Sequence, residues 1–311
     1  MLEKARRAIT GEAAIFAEHI HQPSEPPDIV FLHNRPWDAP LFRRAFPDAR
    51  LVLYVHNRVL RLVPRWAKRK ALRGFDAVVF ISEYVSSDLA RRSGYLPVPS
   101  VVAVSAPPSE ANAIGDDSAI AQPLPVDVLF VGRMTREKGA HVLLRALKSQ
   151  PGVSARLIGG RWFHALIDLT RYERRVRRLA GHLGERIEVL GPLPPAEVRA
   201  HRAVAKIAVV PSVWKEPLGL TVLEGMVSPS AVIATRTGGI PELATRGGVL
   251  LVEPGSHTQL AEAIKQLLND EAALQHLSHA GLDASASMSW VTNYRSIRDL
   301  IDHVHVAPAG T

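Results

Sequence analysis

Cysteine is absent from all 311 residues. That excludes a disulfide framework, thiolate zinc sites, iron–sulfur clusters and a cysteine nucleophile together. Long apolar runs are absent too, and none approaches the ~18 residues that cross a bilayer. The stretch Met1–Ile20 is interrupted by Glu3, Glu12 and Glu18, so it does not read as a signal peptide, and the expectation is a cytoplasmic protein. Aromatic residues are sparse, at 6%. Acid is locally missing: none lies between Asp48 and Asp76, where Arg58, Arg61, Arg65, Lys68, Arg69, Lys70 and Arg73 crowd together.

What is present describes a globular protein. Hydrophobic residues make up 47% and charged residues 22%, which excludes a disordered chain. At ~100–200 residues per domain, the length favours two domains. The net charge of +8 speaks about partners: anionic substrates, nucleic acid or an acidic membrane surface. Arg171, Arg174, Arg175, Arg177 and Arg178 form a second basic cluster. In residues 58–73 the cations alternate with Leu60, Leu62, Val63, Trp66 and Leu72. One reading is a surface helix turned toward its own core. The other is a patch for an anionic membrane or acceptor, each cation near a membrane contributing ~1 kcal/mol. Nucleic acid is not expected, because no recognised module or aromatic stacking set accompanies the charge.

Short apolar runs bounded by turn residues predict buried parallel strands at Asp28–His33, Leu51–His56, Ala77–Ser82 and Ser100–Val104, with helices at Leu2–His21, Arg61–Arg73 and Val85–Ser93. Residues Ala106–Pro125 are rich in Pro, Ser, Asp and Gly and read as a linker. A second series follows, with strands at Val126–Val131, Ser154–Ile158, Arg186–Leu190, Lys206–Val210, Ala231–Ala234 and Val249–Val252. Helices fit between at Ala140–Lys148, Leu166–Leu183, Pro195–Val204, Leu220–Met226, Ile240–Ala244 and Gln259–Leu268. Such alternation means parallel sheets, here twice over, with ligands expected in a cleft at the carboxyl ends of the strands.

Three segments carry the chemistry. In Val131–Gly139, glycines follow a strand, Arg133 offers a planar fork and Lys138 a mobile charge, both suited to phosphate oxygens; a solvated βα turn is the plain alternative. In Pro211–Gly225, Pro217 and Gly219 interrupt regular structure before a helix near Leu220, whose free N–H groups suit an anion. Glu216 precedes that helix and Glu224 lies inside it. Thr221-x-x-Glu224 also fits a capping box, in which the glutamate serves only the helix start. In Thr235–Leu243, paired glycines and Pro241 build another tight strand-to-helix turn, which can be purely structural.

In this order and spacing the three segments resemble family 4 retaining glycosyltransferases, which have two Rossmann domains (the GT-B fold). The match runs over roughly Val126–Trp290. It includes the G-R-x-x-x-x-K-G turn, the Leu157–Gly160 strand end, the Gly191 turn, Pro-Ser before the glutamates, the Glu-x7-Glu pair and the Gly-Gly-x-x-Glu turn. The resemblance implies a nucleotide-sugar donor site, UDP- or GDP-linked, with no cofactor. Gly132, Arg133 and Lys138 would hold the diphosphate. Glu216 would meet the sugar hydroxyls, and Glu224 the ribose. The backbone of Gly219, Leu220 and Thr221 would lie beside sugar and phosphate, and Leu193 near the base. His56 matches the family's strand-end histidine beside the donor sugar. His33, Asn34 and Arg35 would stand on the acceptor side, in a stretch similar to the lipopolysaccharide and spore-coat branch, hence cell-envelope polysaccharide.

A departing nucleoside diphosphate is often neutralised by a divalent ion on a D-x-D pair, but no D-x-D occurs here. No metal is therefore expected; fixed cations and a helix start would stabilise the charge. The resemblance implies net retention and a hydroxyl acceptor on a glycolipid, saccharide or small molecule. The domains expected are 1–122, an acceptor-side domain curtailed by its opening βαβ portion, 123–289, the donor domain, and 290–311, a helix returning to the first. Leu218 stands where an aromatic is expected, and Val227–Ser230 replaces a more glycine-containing turn. Two other readings remain: a nucleotide-sugar epimerase of the same fold, and a non-catalytic nucleotide-sugar binder.

Overall fold

The computed structural model describes residues 25–106, 123–161 and 169–304. The predicted helix Leu2–His21, most of the predicted linker and the start of the helix predicted at Leu166 lie outside these residues. The chain divides into two compact units, one of residues 1–105 with 290–311, the other of residues 106–289.

Unit 1 is built on four parallel strands in spatial order β1-β2-β3-β4: β1 (Ile29–His33), β2 (Arg50–Val55), β3 (Ala77–Phe80) and β4 (Ser100–Val102). The register pairs His33 with Tyr54 and Val55 with Phe80. Leu51, Val52, Leu53, Val78, Val79 and Phe80 are fully buried, as strands of a covered parallel sheet must be. Edge strand β1 leaves Ile29 and Phe31 exposed. The helices are α1 (Ala39–Ala45), α2 (Arg65–Arg73) and α3 (Glu83–Ser93). Ser82 starts α3 by accepting a hydrogen bond from the Val85 amide at 3.2 Å.

The basic segment 58–73 proves to have two faces. Arg58 grips Asp88 through two hydrogen bonds of 3.1 and 2.9 Å, and Arg92 donates to the same carboxylate at 2.9 Å. Burial alone would raise the pKa of Asp88, but these two guanidiniums outweigh it and bring it down to about 2. Arg69 donates to Ser93 O at 2.9 Å and lies over the Tyr95 ring, and Lys68 is buried. These cations hold α2 against α3. Arg61, Arg65 and Lys70 stay exposed, beside Leu62 and Trp66, which are 81% and 62% exposed.

Unit 2 contains six parallel strands: β5 (Val126–Val131), β6 (Ala155–Ile158), β7 (Ile187–Val189), β8 (Ala205–Val210), β9 (Ala231–Thr235) and β10 (Val249–Val252). Their spatial order is β10-β9-β8-β5-β6-β7. The order reverses between β5 and β8, the place where doubly wound sheets bind ligands at their carboxyl ends. Helices α4 (Ala140–Leu147), α5 (Arg171–Gly181), α6 (Pro195–Ala203), α7 (Leu220–Met226), α8 (Ile240–Ala244), α9 (His257–Asn269) and α10 (Glu271–Ala286) complete the unit. One core joins Val128, Phe130, Leu143, Leu147, Leu157, Ile207 and Ile264.

The last helix, α11 (Trp290–Asp302), belongs to unit 1. Ile301 and Val304 pack with Val52, Ala77, Val79 and Ala103, and Arg50 Nε donates to Val304 O at 3.2 Å. Among the described residues, no helix is long and apolar enough to cross a membrane.

Candidate functional site

At the switch point of unit 2 the loop after β5 meets the loop after β8. The chain leaves β5 at Gly132 and passes Arg133, which is exposed and makes no hydrogen bond or ion pair with a described residue. A 3₁₀ turn (Arg136–Lys138) then presents Lys138. From the other side, β8 ends in Pro211-Ser212 and runs to Glu216, which is only 4% exposed. Lys138 Nζ lies 2.6 Å from Glu216 Oε1, and Ser212 Oγ donates to the same oxygen at 2.6 Å. Two residues 78 apart in the chain thus share one buried carboxylate oxygen.

The frame of this pair is backbone. The Val213 amide donates to Glu137 O, and the Gly239 amide donates to Glu216 O, each at 2.8 Å. Thr235 Oγ1 donates to Ser212 O at 2.7 Å, and Thr237 Oγ1 to Trp214 O at 3.2 Å. The third glycine-rich turn is therefore the wall that holds the glutamate loop in place. The Trp214 ring sits 5.8 Å from Lys138 Nζ. Its indole N–H and the Thr135 hydroxyl are buried and have no hydrogen-bond partner among the described residues.

The capping-box reading of Glu224 does not hold. Helix α7 starts after Gly219, with no side chain capping it, so Thr221 already lies within the first turn. Glu224 instead forms an ion pair with Arg202 of α6. Leu220 is exposed and Thr221 half-buried at this helix start, while Leu218 is buried. With seven residues, α7 carries a small dipole. Leu193 packs against the cluster of Val126, Leu129, Ile158 and Ala205, so its side chain is engaged in packing.

In unit 1 the predicted histidines meet. His33 and His56 end the paired strands β1 and β2, with His33 Nδ1 2.7 Å from His56 Nε2 and Tyr54 stacked 4.3 Å from the His56 ring. Burial first, and then the His33 charge, lower the pKa of His56. Asn34 fixes the corner: its Oδ1 accepts from the His56 and Asn57 amides at 2.8 and 3.1 Å. Arg35 is exposed and pairs with Asp38. Sequence reasoning missed Trp214, Tyr54 and Arg202 as members of these clusters. Only Ser212 had a signal, the Pro-Ser before the glutamates.

Two Rossmann-like units, with a cation and a carboxylate joined at the switch point of the second, define the fold class of the two-domain glycosyltransferases. Residues 121–283, more than half of the chain, match the family of glycosyl transferases group 1, and the chain belongs to that family. It is 24% identical over 283 residues to spore coat protein SA of Bacillus subtilis, covering 85% of this chain and 75% of that protein. It is 32% identical over 239 residues to alpha-maltose-1-phosphate synthase of Mycolicibacterium smegmatis, covering 70% of this chain and 60% of that enzyme. Its fold is similar to that of Anabaena Alr3699/HepE, solved in complex with UDP and glucose, at a TM-score of 0.71 and 19% identity over 89% of this chain and 78% of the other.

Proposed function

We propose that the protein is a retaining, metal-independent glycosyltransferase of family 4. It moves a sugar from a UDP- or GDP-linked donor to a hydroxyl of a glycolipid, saccharide or small-molecule acceptor. The observation that carries this reading is the 2.6 Å pair of Lys138 and Glu216 at the switch point. A diphosphate arriving beside Arg133 and Lys138 supplies the anion that Lys138 otherwise finds in Glu216. Lys138 turns to the phosphate, and the freed carboxylate oxygen accepts hydrogen bonds from the donor sugar. Donor binding therefore exchanges one ion pair for two charge-assisted contacts. Glu224 receives the ribose, and the Gly219–Thr221 backbone borders sugar and phosphate. His56 is assigned the place beside the donor sugar.

In the reaction the bond from the anomeric carbon to the phosphate oxygen breaks, and the acceptor oxygen bonds on the same face. The acceptor proton passes to the departing phosphate oxygen, so no nucleophile on the protein is required. The fixed cations stabilise the charge that grows on that oxygen.

A panel of nucleoside diphosphates and their sugars, read by thermal shift and then by transfer with purified protein, tests this reading. At a hundredfold excess over Kd the matching nucleotide stabilises by about 2.7 kcal/mol, which raises the melting temperature by roughly 5–10 °C. Donor-dependent transfer should follow. No response to any nucleotide overturns the proposal. Epimerised donor formed without an acceptor assigns an epimerase, and binding without turnover assigns a binding protein.

The reading extends to a peripheral contact with anionic membrane through residues 58–73, supported by exposed Leu62 and Trp66 beside Arg61, Arg65 and Lys70. Joint replacement Leu62→Ser and Trp66→Ser should lower co-sedimentation with anionic vesicles by tenfold or more, from the apolar area lost to the interface. Unchanged partitioning removes the membrane assignment and leaves the donor site untouched.

A further inference from the structure

Helices α4 and α5 pack together in unit 2. Their first two turns, with the 3₁₀ turn before α4, frame a pocket of about 80 Å³ lined by Arg136, His141, Arg145, Tyr172 and Arg175. None of the five is acidic. The three arginines are exposed and form no hydrogen bond or ion pair with a described residue. Three other arginines of the unit are engaged: Arg156 pairs with Glu188, Arg202 with Glu224, and Arg177 donates to Val189 O.

His141 is oriented by its neighbour. Its Nδ1 lies 2.8 Å from the Tyr172 hydroxyl, and its backbone N–H donates to the same oxygen at 3.3 Å. With the phenol donating to Nδ1, the neutral ring carries its proton on Nε2, leaving a further donor. Burial first, then the charges of Arg145, Arg175 and Arg136, hold this imidazole below its ordinary pKa. The three positive fields therefore converge on one point, and none of the five lining residues supplies a counter-charge.

Guanidiniums so placed repel one another and offer forked donors matched to tetrahedral oxyanions. Pockets that enclose a whole small molecule run to ~300–1,000 Å³. This one has room for a single group, and the rest of the ligand stays outside. We infer that the α4–α5 pocket is a binding site for one phosphoryl group, as inorganic phosphate or the terminal phosphate of a phosphomonoester, separate from the Lys138–Glu216 site. Arg136 lies on the same short turn as Lys138, so an occupied pocket tethers the turn that presents the switch-point cation.

Calorimetric titration of the full chain with inorganic phosphate and with glycerol 3-phosphate tests the site. The comparison is between the native protein, the double variant Arg145→Ala with Arg175→Ala, and Lys138→Ala. Both arginines are exposed, so the double variant should fold, which an unchanged circular dichroism spectrum checks. Each lost guanidinium should weaken phosphate by roughly tenfold, about a hundredfold together, with no change in Lys138→Ala. No binding to the native protein, equal binding to the double variant, or loss only in Lys138→Ala each overturns the inference. Vesicles containing phosphatidic acid then separate two sources of the same chemistry. Vesicle binding that phosphate displaces and the double variant lacks assigns a lipid headgroup. Glycerol 3-phosphate binding with vesicle binding indifferent to both assigns a soluble phosphomonoester.

Discussion

Glu216→Gln should reduce sugar transfer by ~10²–10³ while leaving the affinity for the bare nucleoside diphosphate at or above native, whereas Lys138→Ala should reduce both. The difference follows from what each side chain offers. Lys138 is the cation for the diphosphate, present in donor and by-product alike. Glu216 meets only the sugar and otherwise holds Lys138, so removing its charge costs a ligand without sugar nothing and frees the cation for the phosphate. Stability complicates the second variant. Glu216 is 4% exposed, and truncating Lys138 leaves its carboxylate with Ser212 as the partner of Oε1. Breaking a buried pair from one side costs about 3–5 kcal/mol. The double variant Lys138→Met with Glu216→Gln removes both charges and should recover most of that stability without recovering transfer. Transfer retained in either single variant, or native diphosphate affinity in Lys138→Ala, removes the assigned roles.

The division of labour between sequence and space is visible in these residues. Strands β5 and β10 and helices α7 and α8 begin and end where the apolar runs meet glycine, proline or a polar turn, because punctuation of that kind is local chemistry. Helix α1 went unpredicted because Ala39–Ala45 is short and carries Pro40 in its first turn. Helix α10 went unpredicted because only Asp270 separates it from α9, so the two periodic patterns run together; the Asp270 side chain caps the Ala273 amide at 2.9 Å and starts the second helix. Candidate residues at the switch point were legible through spacing, since a loop after a strand ends at a sheet's rim wherever the strand lies. Their pairing was not legible. It depends on β5 and β8 being neighbours across the reversal of strand order, which nothing local encodes. Likewise Thr221-x-x-Glu224 satisfies the capping pattern in letters, yet the chain enters α7 earlier and hands the glutamate to Arg202.

Gly139→Ala and Gly238→Ala should each lower stability by more than ~3 kcal/mol and transfer by ~10²-fold, although neither residue offers a side chain to any ligand. Both clamp the Pro211–Pro217 loop from opposite neighbours. At Gly139 φ is +77°, and an added Cβ would stand 1.8 Å from Pro211 O; at Gly238 φ is +63°, and it would stand 1.9 Å from Glu216 O. The atoms met are backbone, so relief requires moving the loop by about an ångström. That movement breaks the Val213 amide bond to Glu137 O or the Gly239 amide bond to Glu216 O, and draws Glu216 away from Lys138. Gly184→Ala separates close approach from left-handed strain. Gly184 has φ +82° with nothing within 4 Å of an added Cβ, so only the conformational cost of ~1–2 kcal/mol should appear there, with transfer unchanged. Urea denaturation and transfer rates on the three variants compare these terms. Equal losses in all three would mean that backbone conformation alone is responsible, and that the loops around Glu216 tolerate displacement.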